Sequence, residues 1–192
     1  MELFFVLDHR EKYRLFSPYS FQPAQARFPR WQILWNKAKE KLLLLPSRVL
    51  YQEQALAQMN KTQDDQITIF ISGRLPPEKL HRKFAFFLQK QKSLHLIYLI
   101  GEILLLPLSG LAALLPGPNI FFGFLALLID THWRAWRGIK ILQGKKINFK
   151  PHRLLLAWEE AVKSQQSQTY PQILSRLSQA FNFPQIARIL WK

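Results

Sequence analysis

The chain has no cysteine, which excludes disulfide scaffolds, thiolate-held zinc, iron–sulfur clusters and thiol catalysis. Glycine is scarce, at 7 of 192 residues, and none of it forms a loop that could cradle a phosphate. Nucleophile elbows, metalloprotease helices and calcium loops are missing too. The five histidines, His9, His81, His95, His132 and His152, have no metal-ligand spacing. No metal and no cofactor are therefore expected, and the chain reads as something other than an enzyme. No period of 20–50 residues repeats, which excludes a solenoid. The first apolar run, Leu3 to Leu7, is too short for a secretory signal and has Glu2 and Asp8 at its ends. Nor is the N-terminus the Arg- and Ser-rich, acid-poor kind that directs import into organelles.

What is present is apolar and basic. Hydrophobic residues make up 48% and aromatics 14%, enough to build a core rather than a disordered chain. Against 12 Asp and Glu stand 27 Lys and Arg, a formal net charge of +15, which calls for acidic partners: nucleic acid or an anionic membrane surface. The position of the charge decides between them. Residues 66–93 carry a net +5 and residues 130–153 a net +6, while residues 94–129 have no Lys or Arg and one acid, Glu102. An uncharged block bracketed by basic segments is the pattern of a membrane insert with both ends on the cytoplasmic side. A nucleic-acid binder has no need of it, and no recognition module accompanies the basic stretch.

The periodicities give an α+β fold, mainly helical, in three parts. Residues 1–93 form an N-terminal α+β unit. It has a strand at Leu3–Leu7 with Tyr13–Phe16 pairing back onto it, a Pro-rich loop over 17–30 and a helix over 31–58. Trp31, Leu34, Trp35, Ala38 and Leu42 lie on one stripe of that helix, and Pro46 kinks or splits it. A strand follows over Ile67, Ile69 and Ile71, and then a basic helix from Pro76-Pro77-Glu78, whose Leu80, Phe84, Phe87 and Leu88 share a face. Residues 94–143 form an apolar helical hairpin turned at Pro116-Gly117-Pro118-Asn119, and residues 144–192 form short amphipathic helices broken at Pro171 and Pro184.

The first hairpin arm, 94–115, is long enough to cross a bilayer; the second has ten uncharged residues before Asp130, so it spans or re-enters. The competing reading is a soluble protein with the hairpin buried; the mean hydropathy of −0.08 allows it. On the membrane reading Lys79, Arg82, Lys83, Lys90, Arg137, Lys145 and Lys146 contact anionic headgroups. Asp130 and Arg134 stand four apart, the spacing of a surface ion pair. Glu102, an acid among apolar neighbours, needs a partner or a task. Fifteen residues before Gly117, it lies level with His132, fifteen after it. Glu102, Asp130, His132 and Arg134 are thus the candidate cluster, either for proton or ion handling or as a structural latch between the arms.

Leu115-Pro116-Gly117-Pro118-Asn119, then Phe121-Phe122, then His132-Trp133-Arg134-Ala135-Trp136-Arg137-Gly138 through Leu142 resemble the mitochondrial potassium–proton exchange-related proteins of fungi and other eukaryotes. The similarity covers roughly residues 1–145 and is specific at 115–142. It implies an integral inner-membrane protein tied to potassium–proton exchange and organelle volume control; no set of transport residues carries over. This chain starts at the domain without a targeting extension, which points to a bacterial plasma-membrane relative with both termini cytoplasmic; a eukaryotic chain would sit in the mitochondrial inner membrane. The expected function is support of monovalent cation–proton homeostasis, in a homo-oligomer or with a membrane-complex partner. The alternatives are a non-transporting membrane adaptor, or a soluble basic protein that binds anionic lipid or nucleic acid.

Overall fold

A computed structural model describes residues 1–18, 47–112 and 120–191. Strands β1 (Glu2–Leu7) and β2 (Tyr13–Phe16) come first, followed by helix α1 (Ser47–Gln58), a 3-10 turn at Met59–Lys61 and strand β3 (Gln66–Ile71). Two long helices, α2 (Pro77–Ala112) and α3 (Ile120–Gln143), precede strand β4 (Lys146–Pro151), and α4 (Arg153–Lys163), α5 (Tyr170–Ala180) and α6 (Ile186–Leu190) complete the order. The sheet runs β2-β1-β3-β4; β1 pairs antiparallel with β2, and β3 pairs parallel with both β1 and β4.

Both faces of this sheet are covered, which is why β1 reads as an unbroken Leu-Phe-Phe-Val-Leu run rather than an alternating one. Leu3 and Phe5 point to one side with Ile67, Ile69 and Ile71, and pack on α1, the root of α2 and the end of α3. Phe4, Val6 and Phe70 point to the other, against Leu155, Trp158, Leu174, Leu177 and the residues of α6. The α2–α3 hairpin is thus the crossover between the parallel strands β3 and β4. Its root lies in the core and its far half extends beyond the sheet.

The expected mainly helical α+β fold is what the chain adopts. Of the expected helix over 31–58, the part up to residue 46 lies outside the described residues, as does most of the Pro-rich loop over 17–30. The strand β4 was not expected. The sequence places residues 144–192 in short amphipathic helices, whereas Lys146, Lys150 and Pro151 are residues that suit an exposed sheet edge. Pro171 does not break a helix; it stands in the first turn of α5, where its missing N–H is harmless. α2 runs through residue 93 without a break.

The described residues do not support the transmembrane hairpin. Among the described residues no helix is long and apolar enough to cross a membrane. The first 16 residues of α2 carry the basic root, and its far stretch includes His95, Glu102 and Pro107. In α3 only Ile120 to Ile129 precede Asp130. The turn Pro116, Gly117, Pro118, Asn119 lies outside the described residues.

One buried acid ties the C-terminal helices to the sheet. Glu159 on α4 accepts from Ser72 Oγ at 2.7 Å and from the Leu7 N–H at 3.4 Å, while Trp158 Nε1 donates to the Leu7 carbonyl at 2.7 Å. Burial pushes this carboxyl above the ordinary carboxylate range, against the pull of its hydrogen bonds, Lys163 and Arg74. A carboxyl with a raised folded pKa binds more protons folded than unfolded, so stability falls as pH rises from the unfolded pKa through the folded one. Glu159→Gln removes that dependence. In urea titrations the stability of E159Q relative to the native chain should therefore grow as the pH rises above the ordinary carboxylate range. An unchanged difference would mean that this carboxyl titrates normally.

Candidate functional site

Helices α1, α2 and α3 meet where the hairpin leaves the sheet. Ala135 and Gly138 of α3 are buried on the α1 side. Asn60, just past α1, donates through Nδ2 to the carbonyls of Ala57 at 2.9 Å and Arg134 at 2.8 Å. These contacts set the rotation of α3 and turn His132 toward α2. There its Nε2 lies 3.2 Å from Glu102 Oε1, and its Nδ1 lies 3.0 Å from Nδ1 of His95. His95 and Glu102 are seven residues apart, two helical turns, and so present one stripe to α3. The Tyr98 ring lies beside His132, with centroids 5.2 Å apart. From α1, Glu53 adds a second buried carboxyl, and one ligand atom each of Glu53, His95 and His132 lies within 4.8 Å of the others.

Burial governs the protonation of this cluster. It pushes Glu102 up to about 7 and, together with the neighbouring His132, pushes His95 down to about 4. Glu102 Oε2 and His95 Nε2 are buried with no hydrogen-bond partner among the described residues. His95 is therefore a neutral imidazole over the physiological range, with a lone pair to offer.

The four residues chosen from sequence thus form two separate pairs. Glu102 and His132 meet inside, whereas Asp130 and Arg134 pair with each other at 2.7 Å on a more exposed face, an i,i+4 contact worth about 0.3–0.5 kcal/mol. Lys79, Arg82, Lys83, Lys90, Arg137 and Lys146 are exposed. Lys83 stands over the Tyr13 ring and Lys145 reaches Asp65 at 3.4 Å, so part of the basic set lies against the sheet end of the molecule. Trp133 and Trp136 stack at 5.3 Å, with Lys140 Nζ 4.0 Å from the Trp136 ring centroid.

Sequence reasoning missed Glu53 and His95. The seven-residue step to Glu102 could have flagged His95. Nothing local could have flagged Glu53, because only the packing of α1 on α3 brings it in. Of the five histidines dismissed as ligands on their spacing, two, His95 and His132, are brought together in space.

A helical hairpin rooted in a small sheet, with a buried imidazole–carboxyl cluster at its base, defines the architecture. The profile of the mitochondrial K+-H+ exchange-related family matches residues 20–145, and the chain belongs to that family. Glu53, His95, Glu102 and His132 all fall inside the matched stretch; β1, β2 and the C-terminal helices lie outside it. No curated protein and no solved structure gives a significant match.

Proposed function

We propose that the protein is a membrane-seated, non-enzymatic component of potassium–proton homeostasis, working as an oligomer or with a membrane partner. Membership of the exchange-related family carries this reading. It is supported by the far half of the hairpin, where Ile97, Ile100, Ile103, Leu104, Leu105 and Phe122 are about half exposed or more. Such a contiguous apolar surface marks an interaction site. Beside it lie the exposed cations Lys90, Arg134 and Arg137, placed to meet anionic headgroups when the hairpin dips into the bilayer from one side. The Glu102–His132 contact fits a latch that holds the two arms in register. Family membership also favours the mitochondrial inner membrane as the location over a bacterial plasma membrane.

Two helices cannot enclose a water-filled path, so any ion route needs several copies or a partner. The test is potassium-driven proton flux, read with an entrapped pH dye in vesicles reconstituted at increasing protein density. Flux should exceed that of empty vesicles and rise more steeply than in proportion to density. No flux at any density, with a membrane protein co-purifying from the native source, would replace transport by the adaptor role.

A further inference from the structure

Three helices bring two imidazoles and two carboxyls to one point, and the latch uses only Glu102 and His132. Glu102 Oε1 lies 3.2 Å from His132 Nε2. A neutral imidazole carries one N–H and one lone pair, and the carboxylate draws the N–H to Nε2. The His132 lone pair is then on Nδ1, which faces His95 Nδ1 at 3.0 Å. Glu53 approaches the same point from α1, within 4.8 Å. We propose that Glu53, His95 and His132 form a binding site for a divalent transition-metal ion of the zinc class, with Glu102 orienting His132 from behind.

Two imidazole nitrogens and one carboxylate oxygen are a ligand set of zinc, with bonds of about 2.0–2.2 Å. Tetrahedral geometry at those lengths places ligand atoms about 3.4 Å apart. The nitrogen pair already sits near that spacing, and the Glu53 oxygen, within 4.8 Å of both nitrogens, has to move closer to complete the set. Imidazole favours zinc, copper, iron or nickel over magnesium and calcium. A carboxylate on the far nitrogen of a ligating imidazole fixes its tautomer and raises its basicity, the usual second partner of such histidines. His95 is 4% exposed, and with Nδ1 turned to the ion its single N–H lies on Nε2. His132 is partly exposed and gives the ion a way in. The bound ion would pin α1, α2 and α3 together at the base of the hairpin. The inference goes beyond potassium–proton homeostasis and stands even if that reading fails.

The full chain, purified through a chelator, is titrated with zinc chloride by calorimetry and by metal content after desalting. One zinc per chain is expected, with a raised melting temperature and X-ray absorption showing only nitrogen and oxygen ligands at about 2.0–2.1 Å. Glu53→Gln, His95→Gln and His132→Gln should each weaken binding more than tenfold. Glu102→Gln should weaken it about tenfold or more by releasing His132. A chain with His9, His81 and His152 all changed to Gln should bind as the native chain does. If the native chain binds no stoichiometric zinc, the cluster is a hydrogen-bonded imidazole pair and the proposal fails. It also fails if the triple variant loses binding while H95Q keeps it. Should a ligand variant not fold, the native stoichiometry and absorption spectrum decide alone.

Discussion

Gly138→Ala should destabilise the protein by about 2–3 kcal/mol, the upper part of the range for overpacking a close helix contact. A Cβ at position 138 would overlap the Leu56 carbonyl oxygen, come within 2.7 Å of the Leu56 carbonyl carbon and reach Met59 Cβ at 3.4 Å. A flexible side chain could swing away from such a clash; a helix backbone cannot, so α1 and α3 must separate. The same shift withdraws Glu53 from His132 and His95, so zinc affinity should fall with stability. Gly101→Ala is the control. On α2, a Cβ there meets nothing within 4 Å, and alanine is favoured over glycine in a helix interior by about 0.8–1.0 kcal/mol. The two substitutions should therefore move the urea midpoint in opposite directions. A G138A midpoint equal to that of the native chain would mean that α1 and α3 are not in backbone contact.

That contact also shows what the sequence could and could not tell. In the run His132-Trp133-Arg134-Ala135-Trp136-Arg137-Gly138 the residues divide by direction. His132 turns to α2, Ala135 and Gly138 are buried on the α1 side, and the tryptophans with Arg134 and Arg137 lie outside or at the edge. A period of three to four residues is readable from a string, so the hairpin, the helix faces and the level of Glu102 with His132 were all legible. Counting residues from a turn converts sequence distance into height along two antiparallel helices. What height cannot give is a third element. Glu53 reaches the cluster only because Gly138 lets α1 come close, a tertiary fact with no local signature. β4 was illegible for a related reason. Its alternation of Lys146, Asn148 and Lys150 with Ile147 and Phe149 is short, and it becomes a strand by pairing in parallel with β3, eighty residues earlier.

Ile100→Asp with Leu104→Asp should reduce vesicle binding at least a hundredfold while leaving the folded chain intact. The two residues are one turn apart on α2, 51% and 70% exposed, so little of the core depends on them. If the hairpin enters lipid, each substitution removes roughly 1.5–3 kcal/mol of apolar burial. Each also adds up to about 2.5–3.5 kcal/mol for a carboxylate drawn toward hydrocarbon. Even half of that sum exceeds the roughly 2.7 kcal/mol that a hundredfold change in partitioning requires. Lys90→Gln with Lys92→Gln should act differently. Near an anionic surface each lysine contributes about 1 kcal/mol, and salt screens it. That pair should therefore weaken binding only to vesicles containing anionic lipid, and the difference should vanish at high ionic strength. Flotation of the purified chains on neutral and anionic vesicles separates the two contributions. Native protein that stays at the bottom of the gradient with both lipids, or a double Asp variant that floats as the native chain does, would show that the apolar rows meet something other than lipid. The exposed faces of α2 and α3 would then be a protein interface, and the homeostatic role would pass through whatever chain covers them.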